Sequence, residues 1–150
     1  MIGKSWRLRG ALLLAATFSP LVIATNAITV YHDPACGCCV EWIHYLQAKG
    51  YAVTTHDDQS MAAVKTRLGV PRDAASCHTA VIDGYVIEGH VPVEDIRRLL
   101  AERPDARGLA APGMPMGSPG MQMGPPERYA VVLIGRDGSS RVFATHGPRM

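Results

Sequence analysis

No glycine-rich phosphate loop occurs in the 150 residues, so the chain offers no cradle for nucleotide phosphates. Nor is there a carboxylate pair suited to hydrolytic acid–base work. Asp57, Asp58, Glu94 and Asp95 stand where helices are expected to begin, where acidic side chains complement the helix dipole. No repeat of domain size is present, and after residue 27 there is no basic tract. The apolar run at residues 10–24, "GALLLAATFSPLVIA", contains Pro20 and falls short of the roughly 20 residues that a membrane-spanning helix needs.

That run is preceded by Lys4, Arg7 and Arg9 and followed by the small residues Thr25 and Ala27. A basic start, an apolar middle and a small-x-small ending form a secretory leader, cleaved after Ala27 or, as a second choice, Ala24. Removing residues 1–27 takes away three basic and no acidic residues, and the formal charge falls from +2 to −1. Nucleic acid is therefore not an expected partner, nor is stable membrane insertion after cleavage. The expected product is an exported domain, periplasmic in a bacterium with two membranes.

The remainder reads as alternating elements. "ITVYHD" is rich in β-branched residues and is closed by Pro34; Val40, Ile43 and Leu46 then recur at helical spacing up to Gly50. "YAVTTH" reads as a second strand, and a second helix capped by Asp58 or Ser60 places Met61, Val64 and Leu68 on one face. "TAVIDGYVIEGH" is two strands around Asp83-Gly84, a dipeptide favoured in two-residue hairpins. Pro92 opens a third helix that Pro104 stops. The order β-α-β-α-β-β-α predicts an α/β, thioredoxin-like core over residues 28–104. Residues 105–126 are rich in Met, Pro and Gly and read as a loop or tether, and residues 127–150 as a β-hairpin that completes the same domain.

The chemistry rests on sulfur. Cys36 and Cys39 form a C-x-x-C pair at a helix start, where the dipole favours thiolate, so a thiol–disulfide oxidoreductase using these two residues is one reading. Cys38 inside the pair complicates a two-state couple, and Cys77-His78 is expected to face the same loop in the fold. Soft thiolates beside an imidazole suit Cu(I) or zinc. Adjacent Cys38 and Cys39 are expected to diverge, which disfavours one zinc tetrahedron and favours several Cu(I) ions sharing thiolates. Met114, Met116, Met121 and Met123 form two M-x-M pairs, either soft ligands on a hand-off arm or a cover for apolar surface. His32 is a candidate for the outer rim of the site. His44 and His56 are expected in solvent, His90 is read as structural, and His146 is left without a role.

"YHDPACGCCVEWIHYLQAKGY", "SCHTAVIDGYVIEGHVPVEDIRRLL" and "GLAAPGMPMGSPGMQM", with the final hairpin, together resemble the small exported CopG-type copper-resistance proteins. This family, marked by a C-x-C-C motif, was long described as a domain of unknown function and is distinct from the DNA-binding repressors of the same name. The resemblance implies a thioredoxin-like fold and periplasmic copper binding in copper or silver resistance. Carried over by motif, Cys36, Cys38, Cys39 and Cys77 become the copper ligands, with His78 beside them. The expected function is to hold Cu(I), as several ions per chain, for resistance, storage or transfer to other periplasmic copper proteins or an export system. A Cu(I)/Cu(II) or thiol–disulfide oxidoreductase, and a disulfide-stapled interaction domain without metal, are the alternatives.

Overall fold

The structure is a computed structural model that describes residues 26–57 and 60–149. Most of the expected leader and the expected cap Asp58 lie outside the described residues. Asn26 and Ala27 are described, and Ala27 opens the first strand. The first elements are β1 (Ala27–Tyr31), α1 (Gly37–Ala48), β2 (Ala52–His56), α2 (Met61–Leu68), β3 (Thr79–Ile82), β4 (Tyr85–Glu88) and α3 (Val93–Glu102). This is the expected order, with a 3₁₀ turn at Arg72–Ala74 added. The strands β5 (Gly108–Ala110), β6 (Tyr129–Ile134) and β7 (Ser140–His146) follow.

One seven-stranded sheet runs β2-β1-β3-β4-β5-β6-β7. β1 is parallel to β2 and β4 to β5, and the remaining neighbours are antiparallel. The Asp83-Gly84 turn behaves as its chemistry demands. Asp83 has φ 47° and Gly84 φ 82°, the pair of positive values that a type I′ hairpin requires. Its tightness sets the β3–β4 register, with Ile82 opposite Tyr85 and Thr79 opposite Glu88.

β5 lies within the stretch read from sequence as a loop. A three-residue strand is too short to show a period, and only pairing with Val86, Ile87 and Glu88 on one side and β6 on the other makes it extended. Residues after it pack against the domain as well: Ala111, Ser118 and Met121 are buried. Ser60 occupies the N-cap position of α2 but makes no side-chain cap bond. At the other end Gly69 is left-handed and its N–H donates to the Thr66 carbonyl, which closes the helix.

Helix α1 buries Cys39, Trp42, Ile43 and Leu46, one stripe at spacings of three and four. Trp42 is wholly buried, and its indole N–H donates to the Val91 carbonyl at 3.1 Å, tying α1 to the segment after β4. Replacing Trp42 with alanine should cost about 3–5 kcal/mol of stability, through lost apolar burial, the cavity left behind and an orphaned carbonyl. Urea unfolding followed by far-ultraviolet circular dichroism measures it, and a loss under about 1 kcal/mol would show that the helix is not anchored there.

Candidate metal centre

The cysteine loop is built by a turn. Asp33 Oδ1 accepts the Ala35 N–H at 2.8 Å and the Asp33 carbonyl accepts the Cys36 N–H at 3.0 Å, so the chain reverses out of β1 and enters α1 at Cys36. Cys36 is the N-cap residue, and its carbonyl accepts from the Cys39 and Val40 N–H groups. The first turn of α1 thus carries Cys38 and Cys39, and the segment leading into β3 brings Cys77 and His78 up from the other side. The four sulfur atoms of Cys36, Cys38, Cys39 and Cys77 lie within 4.8 Å of one another. Adjacent Cys38 and Cys39 therefore converge on one site. The expected divergence does not occur, because the helical turn and the long-range approach of Cys77 both close on the same point.

Cys36 and Cys39 are joined as a disulfide, while Cys38 and Cys77 are free. Cys38 Sγ lies 3.4 Å from Cys36 Sγ and 4.0 Å from Cys77 Sγ. Burial raises the Cys77 thiol to about 11, and the neighbouring Cys38 adds to the effect. Without metal it is protonated near neutrality, and binding a cation there must displace that proton.

A second group consists of Cys77, His78 and His90, also within 4.8 Å of one another. His78 Nδ1 is 3.3 Å and His90 Nε2 3.1 Å from Cys77 Sγ. Both rings lose their ready protonation to burial, His78 most strongly, with His90 the next contributor to its shift. His90 Nδ1 donates to the Pro119 carbonyl at 2.8 Å, which leaves the Nε2 lone pair directed at the sulfur. His78 lies tilted by 37° against Trp42 with ring centroids 4.4 Å apart, and its Nε2 is buried without a hydrogen-bond partner. A cluster of thiols flanked by neutral imidazoles fits a soft or borderline cation such as copper or zinc, and does not fit magnesium or calcium.

The sequence reads His90 as structural, yet the hairpin brings it to the site. Because β3 and β4 pair with Thr79 opposite Glu88, and Gly89 N–H donates to the His78 carbonyl, continuing the register sets Cys77 opposite His90. The two-residue Asp83-Gly84 turn is the sequence signal that would have found it. His32 is buried with Nδ1 3.0 Å from the Asp33 carbonyl and belongs to neither group. His44 is exposed beside Glu41, His56 stacks on Tyr31, and His146 pairs with Asp95 at 2.6 Å.

The Met-rich segment contacts the same place unevenly. Gly120 packs so tightly that a Cβ there would come within 2.9 Å of the Cys38 carbonyl and of Trp42 N, and within 3.3 Å of His90 Nδ1. Met123, 78 % exposed, lines an open cleft of about 630 Å³ with Gly37, Cys38, Glu41, Gly120 and Gln122. Met121 is buried, Met116 is half-buried and Met114 is exposed.

The family described as "Protein of unknown function, DUF411" matches residues 74–121, the stretch from Ala74 through Cys77, His78 and His90 to Met121. Two solved structures, Form 1 and Form 2 of "Copper resistance protein copG", are each 52 % identical, with a TM-score of 0.76, over 81 % of this chain and 98 % of theirs. The chain belongs to the CopG copper-resistance family. Within that family it is a mixed α/β protein whose described residues form a seven-stranded sheet, three α-helices and a cysteine cluster able to hold a metal. No curated protein is significantly similar to it in sequence. Among the described residues no helix is long and apolar enough to cross a membrane.

Proposed function

We propose that this chain is an exported, periplasmic copper-binding protein that holds Cu(I) through Cys36, Cys38, Cys39 and Cys77, as a small copper–thiolate cluster, for resistance, storage or transfer. The observation that carries the reading is the convergence of four sulfur atoms within 4.8 Å, flanked by two imidazoles that burial keeps neutral. The parallel β1–β2 pair and antiparallel β3–β4 hairpin support a thioredoxin-like core over residues 28–104, which the 105–126 segment with β5 and the 127–150 hairpin complete; the sequence of residues 1–27 supports a leader cleaved after about Ala27. Met123 at the mouth of the cleft suits a hand-off role toward other periplasmic copper proteins or an export system. Silver shares the soft-ligand preference of Cu(I), and a single tetrahedral zinc is the competing occupant. Anaerobic titration of the reduced protein with Cu(I), counting metal by elemental analysis and protected thiols with a thiol reagent, tests the reading. Several coppers per chain with all four thiols shielded is the expected result, and saturation at one tightly bound ion overturns the cluster.

The Cys36–Cys39 disulfide supports a second reading, an oxidoreductase that exchanges this bond or cycles Cu(I) and Cu(II). It also gives a redox prediction for the first. Oxidised, the chain keeps only Cys38 and Cys77 as thiols, so its Cu(I) affinity should rise on the order of a hundredfold or more once dithiothreitol has taken Cys36–Cys39 to two thiols. Equal affinity of the oxidised and reduced forms in a chelator competition would remove Cys36 and Cys39 from the ligand set.

A further inference from the structure

Glu88 at the end of β4 is a charged side chain with no exposure at all, and the copper reading gives it no part. Its Oε1 accepts from Lys65 Nζ at 2.5 Å and from the Ser76 N–H at 2.7 Å, and its Oε2 accepts from the Thr79 hydroxyl at 2.6 Å. Lys65 Nζ also donates to Thr79 Oγ1 at 3.0 Å. Burying the Glu88 carboxylate is expensive, and its pairing with the partly buried Lys65 adds little net stability over an apolar substitute. The pair must therefore be explained by what it holds in place. The four groups come from α2, from the segment before β3, from β3 and from β4, and the one backbone group among them belongs to the residue immediately before Cys77. The other flank of Cys77 is fixed as well, by the Gly89 N–H on the His78 carbonyl. Ser76 is in turn fastened to the loop, its hydroxyl donating to the Gly113 carbonyl and the Gly113 N–H donating to the carbonyl of Ala75.

The geometry points to Glu88 as the positioning residue for Cys77: its carboxylate, held by Lys65 and Thr79, grips the Ser76 N–H and keeps Cys77 Sγ 4.0 Å from Cys38 Sγ and 3.1 Å from His90 Nε2. The assignment deepens the copper reading, since it makes Cys77 the ligand being aimed, but its test needs no metal. In the metal-free chain with Cys36–Cys39 oxidised, Cys38 and Cys77 are the two remaining thiols. Diamide oxidises them to a Cys38–Cys77 disulfide, its diazene bond taking up the two electrons and two protons, and the rate of that step reads how often the sulfurs meet.

Two variants separate aim from stability. Glu88→Gln keeps an oxygen for the Ser76 and Lys65 donors and an N–H for Thr79 Oγ1, so it should pair the thiols within about twofold of the wild-type rate. Lys65→Met with Glu88→Leu replaces the ion pair by apolar groups, a change that is often neutral for stability, but takes the acceptor from Ser76. The thiol-pairing rate of this double variant should fall about tenfold or more while circular dichroism stays native. A folded double variant that pairs at the wild-type rate overturns the assignment. Hydrogen exchange on the unmodified protein provides a measurement that depends on no variant. The Ser76 amide should be protected about a hundredfold or more, and exchange at the unprotected rate overturns the assignment whatever the variants do. If Glu88 passes these tests and Cu(I) still fails to bind, the copper reading falls and the positioning role stands.

Discussion

Cys77→Ser is expected to weaken Cu(I) retention more than any other single change to the sulfur cluster. Cys77 is the one residue shared by the four-cysteine group and the Cys77–His78–His90 group, so its loss removes a thiolate from the first and disconnects the second. A serine hydroxyl is a hard oxygen donor with little affinity for a soft cation. Loss of a partner that merely orients a metal ligand costs 10- to 100-fold in metal affinity, so loss of the ligand itself should cost about a hundredfold at the least. The fold should survive, because serine is smaller than cysteine and its hydroxyl can donate to the His90 Nε2 that Cys77 Sγ now faces at 3.1 Å. Competition with a colorimetric Cu(I) chelator on the reduced protein measures the effect. An affinity within threefold of wild type would take Cys77 out of the site, and with it the argument that the segment leading into β3 supplies a ligand.

Gly108→Ala should abolish folding rather than function alone. A Cβ built at Gly108 falls inside the Val86 carbonyl oxygen and lies 2.6 Å from the Val86 carbonyl carbon and 2.7 Å from its nitrogen. These are backbone atoms of the neighbouring central strand, so no side chain can swing aside. Gly108 opens β5, which pairs with β4 on one side and β6 on the other, so displacing it separates the closing hairpin from the rest of the sheet. A loss of about 5 kcal/mol or more is expected, which equals or exceeds the whole stability of a marginally stable domain. The variant should remain insoluble or show a collapsed urea midpoint. A midpoint near that of the wild type would mean that β4 and β5 are not in register as described.

Much of the fold was legible because its signals are local. The β-branched run of β1, the three-residue spacing of Val40, Ile43 and Leu46, the Asp83-Gly84 turn and the Pro92 helix start each encode their conformation within a few residues. Three helices and the β3–β4 hairpin therefore stand where the sequence puts them. β5 was not legible, since "GLA" has no periodicity and becomes a strand only between two partners already in place. The Met-rich stretch misled in the same way. Its composition reads as a tether, but Gly120 lets it press against Cys38 and Trp42, a fit that depends on a surface the segment itself does not encode.

The same division runs through the site. Sequence alone determined the ligand chemistry: a C-x-C-C run at a helix start and a Cys-His before a hairpin are soft donors wherever the chain goes. It also determined which two elements carry them. Tertiary structure decided that Cys38 and Cys39 converge instead of diverging, that His90 stands opposite Cys77, and that the buried Glu88 with its partner Lys65 lies behind Ser76. The physical reason is range. Conformational preference and donor softness belong to a residue and its immediate neighbours. Distances of 3 to 5 Å between side chains, and the burial that keeps an imidazole neutral, come from strands and helices far apart in sequence closing on one point.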